Sequence, residues 1–298
     1  MTESQKPKSK LDTGWTRALT NGASPDAAAM RDHLEIVHGE NAGFTESCAA
    51  ACCDAEGRNS YDWLAEAVGD AGTGHILDLA CGSGVLLEQL ERRYPAARLT
   101  GVDMSADELA LAALRVPRPR VSLRRAMAQD LDFLPTGSVN AVLCHWALTL
   151  MHPVEPVLQE IGRVLATGGL FAAIVDGPMD SAPGYRAVND LIFDHVARAY
   201  PAYGTTDLGD PRIRDHEALT QLLGTQFSGA RVTVEPNIVS MTASPAILAR
   251  EAARFFYSVF VLEDAERTAL LTDLTTLFTA QGPEATFHMP INRVIVAI

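Results

Sequence analysis

The sequence predicts an α/β protein built on a doubly wound, mostly parallel sheet. Three observations carry this. Apolar strand-like runs at 76–79, 98–102, 121–124, 141–144 and 170–176 alternate with helical patterns near 85–92, 106–114 and 154–165. The run His75-Ile76-Leu77-Asp78-Leu79-Ala80-Cys81-Gly82-Ser83-Gly84 ends in a glycine turn that opens a helix. A second strand-like run starts at Arg98 and ends at Asp103, nineteen residues past Gly84.

Each element has a local reason. A strand, glycine loop and helix in succession present backbone N–H groups and a helix N-terminus to a ligand. Gly82 and Gly84 allow a sharp turn and a close approach without a Cβ in the way. Asp78 is the odd feature, because an acid there repels a phosphate and suits a cation. An acid about 20 residues beyond such a loop is placed to grip ribose hydroxyls. The dinucleotide fingerprint needs a third glycine where Leu87 stands. Leu87 and Asp78 therefore weigh against a nicotinamide oxidoreductase. Ligands of open parallel sheets bind beyond the carboxyl ends of the strands, so Gly82, Asp103, Asp130 and Cys144 are expected to cluster.

Val154, Val157, Leu158, Ile161 and Leu165 make one apolar helical face. Upstream, Ser24-Pro25-Asp26 starts a helix over 27–37, and further helices are expected at 47–54 and 60–68. Beyond Asp176 the rhythm changes. Helices are expected at 185–200, 216–223 and 263–280, with strands at 231–240 and 292–298. Ser244-Pro245 opens another helix, whose Phe255, Phe256, Val259 and Phe260 form a stripe that reads as core before pocket.

The 298 residues suffice for a sizeable buried core, and 47% hydrophobic with 20% charged residues is an ordinary globular composition. No apolar run reaches the roughly 18 residues of a membrane span, and no secretory signal is visible, which points to the cytoplasm. A net charge of −13 argues against a broad phosphate-binding surface. The three lysines, Lys6, Lys8 and Lys10, sit in a start that reads as a disordered tail. Arg115, Arg118, Arg120, Arg124 and Arg125 read as a solvated connector, with nucleic-acid contact as the rival. Five cysteines without a signal suggest free thiols; Cys48, Cys52 and Cys53 read as helix packing before a zinc site.

The segments Asp78-Leu79-Ala80-Cys81-Gly82-Ser83-Gly84 and Gly101-Val102-Asp103-Met104-Ser105 resemble class I S-adenosylmethionine-dependent methyltransferases. The likeness continues through Ala128-Gln129-Asp130-Leu131 and Asn140-Ala141-Val142-Leu143-Cys144 to Arg163-Val164-Leu165-Ala166-Thr167-Gly168-Gly169-Leu170, in the family's order. It covers roughly residues 60–177.

The resemblance implies a Rossmann-like, mainly parallel seven-stranded sheet with an antiparallel last strand, an N-terminal helical segment and a helical insertion before that last strand. It divides the chain into a tail (1–12), a helical cap (13–70), a cofactor-binding core (71–180) and a completing part with acceptor-binding insertions (181–298). It also implies S-adenosyl-L-methionine as cofactor. Asp78 then orients the methionine ammonium, Gly82 and Gly84 pass close to the sugar and methionine, and Asp103 accepts from both ribose hydroxyls. Asp130, with Met104 and Leu131, would meet the adenine, and Ala80 and Cys144 complete the set.

His145 follows the fourth strand, where such a sheet delivers side chains to the methyl end, and histidine accepts protons near neutral pH. His38, Tyr185 and His152 are rivals for a base; a packing role for His145, with no base at all, is the bland alternative. His145-Trp146-Ala147-Leu148 lacks the Asn-Pro-Pro-Tyr signature of nucleobase or protein-amide methylation, and no acid set for a divalent metal is visible. A small-molecule acceptor remains, an apolar specialised metabolite, with no nucleic acid, no membrane, and a homo-oligomer left open. A cofactor-binding or cyclase-like protein without methyl transfer is the other reading.

Overall fold

The structure, a computed structural model, describes residues 11–116, 120–205 and 209–298. Residues 1–10 of the expected tail, with its lysines, and Arg118 lie outside them. Four helices come first: α1 (Gly14–Thr20), α2 (Ala27–Glu40), α3 (Glu46–Ala51) and α4 (Ser60–Glu66). The alternating core follows as β1 (His75–Leu79), α5 (Val85–Arg93), β2 (Arg98–Asp103), α6 (Ala106–Arg115), β3 (Val121–Arg125), β4 (Val139–His145), α7 (Glu155–Val164) and β5 (Leu165–Asp176). Then come α8 (Tyr185–Ala199), α9 (His216–Gln226), β6 (Arg231–Ala243), α10 (Pro245–Phe255), α11 (Asp264–Thr279) and β7 (Ala285–Ala297).

The seven strands form one sheet in the order β3-β2-β1-β4-β5-β7-β6. The first five are parallel, and β7 runs antiparallel to both β5 and β6. Strand order reverses between β1 and β4, which makes the crevice above them the place for a ligand. All five residues of β1 are buried, as a strand covered on both faces must be. Alternate residues serve opposite faces. Ile76, Leu143 and Ile174 pack with Leu86 and Leu87; Leu77, Val142 and Phe171 pack with Leu158 and Ile161 of α7. Burying each such side chain stabilises the fold by about 1.5–3 kcal/mol, so Leu158→Ala alone would cost several times the typical surface substitution.

The structure corrects four expectations. Leu11 is buried with Val37 and Phe44, so the described end of the tail is packed rather than disordered. Helix α1 was not foreseen; the side chain of Thr13 accepts from the Thr16 amide, and the Thr16 side chain answers at the Thr13 amide. The aromatic stripe is not one helix. α10 ends at Phe255, Phe256 is extended, and a 3-10 turn covers Tyr257–Val261. Phe256 stacks toward Tyr185 and Phe260 meets Phe44, two directions that a continuous helix could not serve. β7 begins at Ala285, because Ala285 to Pro290 pair with β6 beyond the end of β5.

Among the described residues no helix is long and apolar enough to cross a membrane. The described arginines of the basic connector face acids or a ring. Arg115 pairs with Glu46, Arg120 with Glu91 and Arg125 with Glu35, while Arg124 lies over Phe133. Cys48 and Cys52 are buried in the helical packing between cap and sheet.

Candidate active site

A cavity of about 690 Å³ opens beyond the carboxyl ends of β1, β2, β4 and β5, within the usual size of small-molecule sites. Its floor is the loop after β1. Ala80 and Gly82 both adopt positive φ, +58° and +50°, so the chain turns tightly as it leaves the sheet. An alanine in that region is uncommon and is tolerated where the surroundings over-determine it. Asp103, at the end of β2, does so from the side. Its Oδ2 accepts the Gly82 amide at 2.8 Å, and its Oδ1 accepts the Ser105 amide at 2.8 Å. Burial pushes its carboxyl above the usual range, and these two amides offset only part of that rise. From above, Ser83 Oγ donates to the carboxylate of Glu46 on α3, and Arg115 bonds both Glu46 and the Ser83 carbonyl.

Asp78 lies in the cavity wall, 1% exposed, and neither of its oxygens has a hydrogen-bond partner among the described residues. An unpaired buried carboxylate costs several kcal/mol and answers by holding its proton. Burial accordingly pushes Asp78 well above the usual carboxylate range, and the neighbouring Asp103 adds to it.

Ala80, Gly82, Asp103, Met104 and His145 line the same cavity as Asp78. Four other expected residues do not. Gly84 sits behind the loop as the start of α5, φ +82°, with Ala112 of α6 so close that a Cβ would lie 3.0 Å from it. Cys144 points to the opposite face of the sheet from Asp78, buried with Leu77 and Val142, its thiol pushed up to about 12. Asp130 is exposed, and Leu131 is buried against the far core while its amide donates to Glu160. The segment that reaches the cavity beside Met104 is instead Ala126 to Gln129.

His145 is wedged between rings. Tyr61 stacks on it with centroids 3.7 Å apart, Trp146 meets it edge-on, and its Nε2 is 2.9 Å from Ser60 Oγ. Desolvation lowers its pKa to about 3, which makes it a far weaker base than an open histidine. Trp146 takes positive φ, +58°, and donates its Nε1–H to Asp176, which also accepts from Arg214. Tyr185, Phe255, Phe256 and Tyr257 complete an aromatic wall, so the stripe divides: its first half faces the cavity and Phe260 is packing. His38 also lines the cavity, hydrogen-bonded to Glu108 and Tyr257. Glu108, Tyr61 and Tyr257 were not singled out in the sequence, where a helix-borne acid and two tyrosines carry no distinguishing signal.

A methyltransferase domain family matches residues 76–169, which contain the glycine loop, Asp103 and Met127 to Gln129. Residues 76–169 carry a methyltransferase domain, similar to that of class I S-adenosylmethionine-dependent methyltransferases. Relatives of this domain differ in what they act on. The ubiquinone/menaquinone biosynthesis C-methyltransferase UbiE of Desulfotalea psychrophila is 30% identical over 169 residues, 56% of this chain and 65% of that protein. The ribosomal RNA small subunit methyltransferase C of Pseudomonas paraeruginosa is 34% identical over 110 residues, 36% of this chain and 33% of that one. The chain thus spans less than two thirds of these curated relatives. In three dimensions, phosphoethanolamine N-methyltransferase 2 of Haemonchus contortus, solved with S-adenosyl-L-methionine, shares the fold with a TM-score of 0.55 at 17% identity, covering 90% of this chain and 59% of that one.

Proposed function

We propose that this protein is an enzyme that binds S-adenosylmethionine and methylates a small, largely apolar acceptor of the specialised-metabolite kind. The observation that carries this is Asp78, whose carboxyl group is buried in the cavity wall beside the glycine loop with no hydrogen-bond partner among the described residues. A cationic ligand would supply the charge that Asp78 lacks. Asp78 would hold the methionine ammonium, Gly82 would allow the loop to lie against the ligand, and Asp103 would offer its remaining lone pairs to the ribose hydroxyls. Met104 and Met127 to Gln129 would border the adenine in place of Asp130.

When bound, the sulfonium supplies a methyl carbon already activated for displacement. The protein's task is then to align the acceptor and exclude water. The rings of Trp146, Tyr185, Phe255 and Phe256 support an apolar, flat acceptor over a highly charged one. A concave pocket of this size supports a small molecule over a polynucleotide.

The test is calorimetry with S-adenosylhomocysteine and with NAD, followed by mass detection of a one-methylene gain in candidate acceptors. Binding of S-adenosylhomocysteine and not NAD is expected. Binding without transfer to any acceptor would favour a binding or cyclase-like role, and NAD binding would overturn the assignment.

A further inference from the structure

Glu108, His38 and Tyr257 form a hydrogen-bonded chain facing the cavity, and no contact proposed above for the cofactor accounts for it. Oε1 of Glu108 is 2.8 Å from Nδ1 of His38, and Nε2 of His38 is 2.9 Å from the Tyr257 hydroxyl. The carboxylate is 3% exposed, and the same Oε1 accepts the Gly43 amide at 3.0 Å, which fixes its direction. A carboxylate at Nδ1 selects the tautomer that carries its proton there, so Nε2 is left to accept from the Tyr257 O–H. Phe44 packs against both rings and holds them in register.

Orienting carboxylate, imidazole and hydroxyl in this order are the parts of an assisted proton transfer. Burial raises the Tyr257 hydroxyl well above its ordinary range, with Glu108, Asp103 and Tyr61 adding negative potential. Tyr257 therefore rests protonated, and it can take up a proton only as it gives its own away.

We propose that Tyr257, His38 and Glu108 are a relay that removes the acceptor's proton, and that the acceptor is a phenol or enol; this rests on the methyl-transfer reading above. The acceptor O–H proton passes to Tyr257 Oη while the proton already on Oη passes to His38 Nε2. The acceptor becomes an oxyanion and His38 an imidazolium facing Glu108, so one anion and one cation arise from two neutral groups. A relay acting before attack suits a weakly acidic O–H, and the aromatic wall favours a flat neutral acceptor over an alkylammonium, which would also have to lose a proton first. Tyr257 is the group that touches the acceptor; His38 and Glu108 position it and receive its proton. The alternative is a clasp that merely ties α2 to α6 and the turn at Tyr257. A clasp would shape the cavity without ionising anything.

para-Nitrophenol separates the two, because its phenolate absorbs at longer wavelength than its phenol. It is titrated into the full chain saturated with S-adenosylhomocysteine, at a pH where the free probe is mostly protonated. Wild type should bind it as phenolate. Tyr257→Phe and His38→Asn should bind it as phenol, with a phenolate-to-phenol ratio about tenfold lower, equivalent to about one pKa unit. Both variants should keep their calorimetric affinity for S-adenosylhomocysteine. Tyr257→Phe keeps the ring and its packing, so it decides the matter even if His38→Asn fails to fold. An unchanged phenolate fraction in Tyr257→Phe overturns the relay, as does a wild type that binds the probe only as phenol or not at all. Failure of the wild type to bind S-adenosylhomocysteine would instead overturn the methyl-transfer reading.

Discussion

The amide of Gly82 donates to Oδ2 of Asp103 across 2.8 Å, tying the loop after the first strand to the acid that ends the second. The two features that stand out in the sequence are thus one structural unit. Asp103 fixes the loop's path before any ligand contact is considered.

Asp103→Ala should weaken S-adenosylhomocysteine binding at least tenfold, since hydrogen bonds to a charged acceptor contribute about 1.5–3 kcal/mol each. The substitution also frees the Gly82 and Ser105 amides, so melting is measured alongside calorimetry. Unchanged affinity in a folded variant would remove Asp103 from the ribose assignment.

Asp78 gives a pH signature. Its pKa in the folded protein is raised, so at pH values between the ordinary carboxylate range and that raised value the folded state holds a proton the unfolded chain has lost. Its contribution to stability therefore falls as pH rises through that window. Binding of a cation at Asp78 requires the ionised form, so affinity for S-adenosylhomocysteine should rise with pH over the same window. Asp78→Asn should melt higher than wild type at the upper end and lose the pH dependence of binding. A wild-type affinity that stays flat with pH, at the level of the Asn variant, would dissociate Asp78 from the ammonium.

His145→Gln should leave cofactor affinity and turnover within a few-fold of wild type, because a stacked histidine with a pKa of about 3 and Nε2 engaged by Ser60 is a poor base. Some stability should be lost with the Tyr61 stacking, worth about 0.5–1.5 kcal/mol in aromatic pairs. A fall in turnover of ~10²–10⁴-fold at normal cofactor affinity would restore His145 as the general base.

Phe256→Ala should raise the acceptor KM more than it changes the affinity for S-adenosylhomocysteine. Phe256 lines the cavity and stacks on Tyr185, and the partly exposed ring should cost less than the ~3–5 kcal/mol of a buried phenylalanine. A variant that melts early yet keeps normal acceptor kinetics would make Phe256 core packing.

Much of this was legible in the chain. β1, β2, β4 and β5 are apolar because a two-sided burial demands it, and their spacing around α5, α6 and α7 leaves little choice of topology. Asp78 and Asp103 stand out because an acid at the end of an apolar strand has no packing reason to be there. Asp130 misled for a related reason: an acid in a turn reads the same whether it faces a ligand or water, and here Met127 to Gln129 turn inward instead. The break at Phe256 depends on Tyr185 and Phe44, partners that helical periodicity cannot register. Nor could spacing reveal the approach of His38 to Tyr257, 219 residues apart in sequence.

That last contact sets a clock as well as a shape. α2 closes over the cavity from one end of the chain and the turn at Tyr257 from the other, joined by the His38 imidazole and by Val37 and Phe44 packed with Tyr257 and Phe260. Were a ligand lodged beneath to leave by the parting of these two sides, its residence time would follow how often they open and not only how well it is gripped. Loosening the join would quicken exchange of everything underneath, at little expense to the sheet that supports it.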